Sequence, residues 1–472
     1  MDKIKRFINI VIPVKACNLK CHYCYVGQNN NFDGSISKLE YDIDYIIKAL
    51  SKKRLGGPCF MNLCAEGETL LAPYIIELTE KLLKEGHYVA IVTNGMIKNK
   101  IQELCELSVN LRKKLFIKFS YHPLELKRLK LTSDFFSNIE LTKNSGISYS
   151  VELTVNDEAI QSIEEIKKEC NKHLECLPHL VESRDNKYMY KRLTKLKEKE
   201  HLKIWKSFDS SLLNFQVSEW EKKRKEFCYA GDWSLTLYLA NGDIAICSNG
   251  APIIGNIFKN IAEPIKYFAI GNNCPCTHCF AAHVHLTTGN IPELETPTYY
   301  ELRERKDWIG KDVKAFFSSK LVEANKEYSN NKKRFINALR ELENNQYTSK
   351  SLSKEIEKEL LKKKIKTIAM FSDDKFSNWL QKELKDTKIK IKFMYTLDGD
   401  CENNNIKTKL KRKIKYLYKK IRNGGEIIIL NKYDKWPSVD SVIITDYLNY
   451  LEHAKIIKEK QKKSLLITEI FD

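Results

Sequence analysis

The chain has 472 residues, enough for roughly two to four domains and a substantial core. Its 43% hydrophobic and 10% aromatic content excludes a disordered chain, and no apolar run approaches the roughly twenty residues of a membrane span. The formal charge of +19 could draw nucleic acid, anionic membrane or acidic substrates, but the excess lysine is spread along helical patterns such as Lys354 to Lys364 and Lys407 to Arg422, and no nucleic-acid reading module accompanies it; a solvated lysine-rich surface is the reading adopted, with polyanion binding the minority one.

The N-terminus is basic and then apolar, but the apolar stretch is short, carries Asn9 and runs on without a small-residue cleavage site. Phe7 to Val14 therefore reads as a first strand, not a signal peptide, and the protein is expected in the cytoplasm. A loop follows with Cys17, Cys21 and Cys24, and Tyr23 just before the last of them. Three thiolates from one short loop can hold three corners of an iron–sulfur cubane and leave its fourth iron open for chemistry. Zinc pairs of the CxxC or His-x-His kind fit poorly around this run, and buried cysteines without a ligand are the plainer alternative.

A helix near Leu39 to Ser51 leads to an apolar run, Cys59 to Cys64, and then to Glu66-Gly67-Glu68. A helix over Pro73 to Glu85 precedes a strand over Tyr88 to Val92 and the segment Thr93-Asn94-Gly95, which also reads as a simple turn. Further strands are predicted over Leu115 to Ser120, Ser148 to Leu153 and Leu177 to Glu182, each separated from the last by a helical pattern. Strict alternation of strand and helix gives a parallel sheet wrapped by helices. The predicted class is α/β: a partial (β/α)6 TIM-type barrel, then a small cysteine-rich hairpin region, linking helices and a small Rossmann-like α/β domain. Chemistry in such barrels gathers where the strands end. Cys17, Cys21, Cys24, Glu66 to Glu68, Thr93, Asn94, Ser120, His122, Glu152, Asn156, His179, Glu182 and Arg184 all fall on that rim.

The cysteine spacing, with an aromatic before the last cysteine, resembles the signature of the radical S-adenosylmethionine (SAM) superfamily. The resemblance implies a 4Fe-4S cluster on Cys17, Cys21 and Cys24, whose open iron chelates SAM and whose electron cleaves it to a 5'-deoxyadenosyl radical; the protein binds, orients and shields that radical. Gly67-Glu68 resembles the family's Gly-Gly-Glu motif, whose backbone and carboxylate meet the SAM amino group, with Glu66 in place of the first glycine. Tyr23 matches the aromatic lying against adenine, and Ser120 the residue type that meets the ribose. Glu152 and Arg184 match late-strand residues approaching the ribose or the carboxylate, although a strand-end glutamate or arginine is as often only solvated or salt-bridged. Thr93 and Asn94 complete the expected SAM contacts.

Downstream, Leu235 to Leu239 and Ile244 to Cys247 read as a hairpin around Asn241-Gly242-Asp243, with Cys228 and Cys247 near its open ends. Cys274, Cys276 and Cys279 form a second tight cluster. Four thiolates from a hairpin base and a CxxC loop make a closed metal site, and spacing alone does not separate iron–sulfur from a zinc ribbon. The arrangement resembles the twitch form of the SPASM region behind some radical SAM barrels, which implies one auxiliary 4Fe-4S cluster on Cys228, Cys247, Cys276 and Cys279, with Cys274 able to replace one of them. His278, His283 and His285 read as surface or hydrogen-bonded residues, and Cys59, Cys64, Cys105, Cys170, Cys176 and Cys401 as small apolar ones.

Charged helices over Asn330 to Asn345 and Ser353 to Lys364 read as linkers. The strands Ile365 to Phe371, Ile389 to Tyr395, Glu426 to Leu430 and Ser441 to Thr445 alternate with helices in a Rossmann-like unit. Its first turn, Phe371 to Lys375, lacks the glycines that admit a pyrophosphate, so dinucleotide binding is not expected and docking or recognition is. The domains are thus placed at 1–205 (barrel), 206–308 (auxiliary cluster region), 309–364 (linker) and 365–472 (Rossmann-like module). The order and texture of these regions is also similar to radical SAM proteins associated with surface-polysaccharide synthesis. The expected activity is hydrogen abstraction from a small-molecule or sugar-linked substrate, with an external electron donor such as flavodoxin or ferredoxin; a peptide-modifying maturase and a non-catalytic, metal-bearing polyanion binder are the alternatives.

Overall fold

The computed structural model describes the whole chain except residues 1, 30–32, 186–190, 249–251, 347–349, 373, 396–427, 431–435, 447 and 461, with the backbone alone for 428–430. The predicted basic helix reaching Ile421, the start of the strand at Glu426, Asp373 and Cys401 lie outside the described residues. The chain divides into two units, Met1–Ile253 with Cys274–Glu327, and Ile254–Asn273 with Tyr328–Asp472.

In the first unit the strands are β1 (Arg6–Ile12), β2 (Cys59–Ala65), β3 (Tyr88–Thr93), β4 (Leu115–Tyr121), β5 (Ser148–Thr154), β6 (His179–Val181), β7 (Ser234–Tyr238) and β8 (Asp243–Ala245). They lie side by side in the order β6-β5-β4-β3-β2-β1-β7-β8. Pairing is parallel from β1 through β6, as the alternation with helices predicts. The predicted hairpin forms, with β7 and β8 antiparallel. Its first strand also pairs in parallel with β1, setting Thr236 beside Asn9, so the hairpin continues the large sheet. The sheet is therefore mixed.

Period-two patterning decides which side chains reach the functional face. In β1, Phe7, Asn9 and Val11 line one internal cavity while Ile8, Ile10 and Ile12 are fully buried between them in sequence. The same alternation brings Asn62 and Cys64 of β2, Lys118 and Ser120 of β4, Glu152 and Thr154 of β5, and Thr236 and Tyr238 of β7 to that cavity. The helices take the usual amphipathic form. Ile75–Glu85 buries Ile75, Leu78, Thr79, Leu82 and Leu83 at helical spacing and stops at Gly86, whose φ of 98° few other residues adopt.

Several boundaries differ from expectation by a few residues, two of them for identifiable reasons. The first helix starts at Ile43, not Leu39, because the Asp42 carboxylate accepts the Tyr45 N–H and caps it there. The strand predicted over Leu177 to Glu182 shrinks to His179–Val181, since Pro178 has no N–H to give to a ladder.

The second unit holds a five-stranded sheet, all parallel, ordered Ile428–Leu430, Lys390–Tyr395, Thr367–Phe371, Ser441–Ile444, Ser464–Leu466. The first strand in sequence is central, and the chain leaves it through Ser372 at φ 98°.

Candidate active site

The cysteine loop, the rim beyond β2 and the inner faces of the strands line a partly open cavity of about 510 Å³ within the first unit. Cys17, Cys21, Cys24, Tyr23, Glu66, Gly67, Glu68, Thr93, Asn94, Ser120, Glu152 and Arg184 all line it. Thus every predicted cluster ligand of the loop and every predicted SAM contact lines one space.

Close backbone packing fixes the loop. Gly67 N–H donates to the Val14 carbonyl at 2.7 Å, and Glu68 N–H to that of Ala16 at 2.8 Å. A Cβ on Gly67 would stand 2.0 Å from the Ala16 oxygen, so only glycine permits this approach. Glu68 is buried, and its carboxylate accepts from Thr93 Oγ1 (2.6 Å), Asn94 N (2.8 Å) and Leu70 N (2.9 Å). Burial pushes its pKa up, against the pull of those donors. Asn94, held at its main chain by Glu68, directs its side-chain amide to Asn18 Oδ1 at 2.7 Å and to Cys17 Sγ at 3.8 Å.

The three thiols are half-buried. Burial pushes the Cys17 thiol up, with Glu68 and Cys24 adding to it, and pushes Cys21 up to about 12, with Cys24 and Glu125 adding. Cys17 and Cys21 thus resist ionisation unless positive charge arrives among the sulfurs, as bound iron supplies. Among the described residues no three His, Cys, Asp or Glu are grouped to hold a single metal ion. A cubane divides its thiolates over several irons, so its ligands need not converge on one point.

Within the cysteine loop Tyr23 is buried, its hydroxyl 2.7 Å from His122 Nδ1. Burial holds His122 neutral, with a pKa of about 4. Ser120 is half-buried and stands beside Glu152 in the sheet register. Burial would raise the Glu152 carboxyl, yet Lys118 and Arg303, with His283 and His179, hold it at about 2. Arg184 sits over the Tyr25 ring, 4.9 Å from its centroid.

The downstream cysteines also gather. Cys228, Cys247, Cys274 and Cys279 act electrostatically on one another, and Cys276 shares a hydrogen bond with Cys274. That bond lowers Cys274 to about 6 against the opposing effect of burial, whereas burial pushes Cys228 up to about 12. None of these five lines the cavity. Cys228 and Cys279 pack against Ala282, Leu286 and Ile291.

The surface alternative for the three histidines is corrected. His278 is buried against the Trp220 and Phe280 rings and His285 against that of Phe7, and His283 lines the cavity with Gln216 Nε2 3.0 Å from its Nδ1. Cys64, read as an apolar filler, also faces the cavity. Sequence reasoning passed over Asn62, Lys118, Gln216, Thr236 and Arg303. The signal for Asn62, Lys118 and Thr236 was a polar residue at an inward position of a largely apolar strand.

Residues 11–117 match the radical SAM superfamily. The chain is 24% identical over 281 residues to an uncharacterized protein of Methanocaldococcus jannaschii, covering 54% of this chain and 90% of that one. Among solved structures it is similar to SuiB of Streptococcus suis bound to S-adenosylmethionine, with a TM-score of 0.39 and 14% identity over 54% of this chain and 63% of that one. It is also similar to anSMEcpe with bound AdoMet and a peptide, with a TM-score of 0.39 and 16% identity over 54% of this chain and 78% of that one. The chain thus spans less than two thirds of the SuiB chains it matches.

Proposed function

From the premise that this is a radical SAM superfamily enzyme, we propose that Cys17, Cys21 and Cys24 hold a 4Fe-4S cluster beside a SAM site and that the enzyme abstracts hydrogen from a substrate in the same cavity. The observation that carries this reading is the meeting of the three thiols with Glu66, Gly67, Glu68 and Asn94 around one cavity. When bound, the cluster and SAM together supply a one-electron cleavage that yields a carbon radical.

The protein's part is positional. The strands β1 to β6 serve as the partial (β/α)6 barrel, with the cluster loop at their carboxyl ends. Gly67 lets the β2 rim approach the loop closely enough for the main chain to face the SAM amino group. Because three donors already occupy the Glu68 carboxylate, its role is to hold that main chain and Asn94. Asn94 offers an N–H to the Cys17 sulfur, a contact that tunes iron–sulfur clusters. Tyr23, fixed by His122, gives a flat wall for adenine, and Ser120 a hydroxyl for the ribose. Tyr25 and Arg184 stand at the cavity edge, where they restrict the entry of water and competing hydrogen donors.

Cys228, Cys247, Cys276 and Cys279, with Cys274 as a substitute, form the auxiliary 4Fe-4S site; structural zinc is the competing occupant. The boundaries 1–205, 206–308, 309–364 and 365–472 and the recognition role of the last module belong to the same proposal, as do a cytoplasmic setting and a flavodoxin- or ferredoxin-type electron donor. Among the described residues no helix is long and apolar enough to cross a membrane. SuiB and anSMEcpe are named with peptides, which makes a peptide the first substrate to assay, ahead of a sugar or polysaccharide precursor. Their likeness is one of fold and does not carry the assignment.

The test is anaerobic reconstitution with iron and sulfide, reduction, and chromatography for 5'-deoxyadenosine. Cleavage of SAM by the wild type and its abolition in Cys21→Ala are expected. A reduced, iron-loaded protein that leaves SAM intact refutes the proposal.

A further inference from the structure

The cavity wall holds a charged group of which the expected SAM contacts include only Glu152, leaving Lys118 and Arg303 without a role. Glu152 Oε1 accepts from Arg303 Nε at 3.0 Å and from Ser150 Oγ at 3.2 Å. Its other oxygen lies 3.7 Å from Lys118 Nζ, beyond hydrogen-bond reach. Among the described residues the Lys118 ammonium has no hydrogen-bond partner, although its side chain is only 11% exposed and faces the cavity. One carboxylate therefore stands between two cations, Lys118 and the fully buried Arg303. The group carries one unmatched positive charge, and a buried charge is costly until paired.

A neutral donor accompanies it. Glu182 N–H donates to Gln216 Oε1 at 3.0 Å, which fixes the Gln216 amide with its Nε2 toward His283 Nδ1 at 3.0 Å. His283 Nδ1 must then be an acceptor. Burial, with Arg303 and Lys118 beside it, keeps this imidazole neutral. A neutral imidazole that accepts at one nitrogen carries its proton on the other, so Nε2–H is left as a donor on a residue that lines the cavity.

We propose that Lys118 and His283 form a subsite for one carboxylate of the substrate, Lys118 supplying the charge and His283 Nε2–H a directed hydrogen bond. A carboxylate matches the single unmatched charge, whereas a phosphate would bring about −1.5 to −2. Lys118 precedes Ser120 by two residues on β4, which sets the subsite about 7 Å further down the strand than the expected ribose contact. The subsite rests on the proposed function in taking this cavity as the substrate's.

The test uses the reconstituted enzyme under saturating SAM and follows thermal unfolding with added probes. N-acetylglutamate α-amide presents a peptide carboxylate and D-glucuronate a sugar carboxylate; N-acetylglutamine amide and D-glucose are their uncharged counterparts, and inorganic phosphate is the dianion. At least one carboxylate should stabilise the wild type saturably, and which one does so identifies a peptide or a sugar-acid source. Its uncharged counterpart should not. Lys118→Met should weaken that binding about tenfold or more, with Lys118→Arg retaining most of it. The wild-type comparison of charged with uncharged probes decides the matter even if a variant fails to fold. No response to either carboxylate, an equal response to the uncharged probes, a stronger response to phosphate, or unchanged binding in folded Lys118→Met overturns the subsite. Competition between carboxylate and SAM also overturns it, because Lys118 would then serve SAM. SAM cleavage is scored separately: its failure refutes the cluster reading, and the probe results still judge the subsite.

Discussion

Thr93 donates its hydroxyl to Glu68 Oε1 at 2.6 Å, and this bond fastens the carboxyl ends of two neighbouring strands beneath the cysteine loop. The other Glu68 oxygen takes the Asn94 N–H, so the same carboxylate sets the residue whose amide faces Cys17. A strand-end glutamate here acts as a brace for the cluster loop.

Replacing that brace should be costly. Glu68→Ala leaves two main-chain N–H groups and a hydroxyl without their buried acceptor, and unsatisfied buried donors cost about 1 to 3 kcal/mol each. We expect a loss of roughly 3 kcal/mol in denaturant unfolding. Glu68→Gln, which keeps one acceptor oxygen, should lose less. Equal effects of the two substitutions would contradict the role assigned to the carboxylate.

Gly67→Ala tests the close approach directly. Its Cβ would meet the Ala16 carbonyl at 2.0 Å, with further backbone atoms at 2.7 and 2.9 Å, and backbone cannot swing aside as a side chain does. The hydrogen bonds from Gly67 to Val14 and from Glu68 to Ala16 should break. The outcome expected is a folded protein by circular dichroism that takes up roughly half the wild-type iron, the loop cluster being lost and the auxiliary one kept. Wild-type iron loading together with wild-type SAM cleavage would show that the contact is dispensable.

These contacts also explain what the sequence could reveal. The order of strands and helices was legible because apolar runs of strand length alternate with helical periodicity, and the loop because three cysteines are closely spaced. Glu68 and Gly67 were found by motif, but the bracing of Asn94 by Glu68 joins residues on different strands, and no local pattern announces it. Lys118 and Asn62 were passed over although each is a polar residue at an inward-facing position of a largely apolar strand. Phe7, Asn9, Val11, Asn62, Lys118 and Thr236 come from four strands and share one cavity lining only through the tertiary fold. The parallel pairing of β7 with β1 was illegible for a similar reason: the partners are more than two hundred residues apart.

Stability should fall in acid through Glu152. Lys118 and Arg303 prevail over burial and hold its carboxyl at about 2, below the ordinary 4.5. A folded-state value below the unfolded one means that the unfolded chain binds the proton more readily. The stabilisation is therefore complete above pH 4.5 and is lost as pH falls toward 2, by up to about 3 kcal/mol. In Glu152→Gln the unfolding free energy should be lower near pH 7, since two cations lose their counter-charge, and its decline between pH 4.5 and 2 should be shallower by about one proton. Parallel acid limbs in the two proteins would assign the titration elsewhere.

The auxiliary cysteines yield to metal counting. Cys228, Cys247, Cys274 and Cys279 feel one another's charge, and burial raises Cys228 and Cys279, so those two favour the thiolate only beside a cationic centre, whereas the Cys276 hydrogen bond lowers Cys274. If that centre is a 4Fe-4S cluster, the reconstituted wild type should bind about eight irons and eight sulfides per chain. The Cys17→Ala, Cys21→Ala, Cys24→Ala triple variant should keep about four of each, with the visible absorption of a cluster but no SAM cleavage. Cys228→Ala with Cys279→Ala should remove the complementary four and, because these residues support the apolar cluster of Ala282, Leu286 and Ile291, should also lower the unfolding temperature. A triple variant that retains one zinc and no iron would establish the zinc alternative for this group of cysteines while leaving the loop cluster in place.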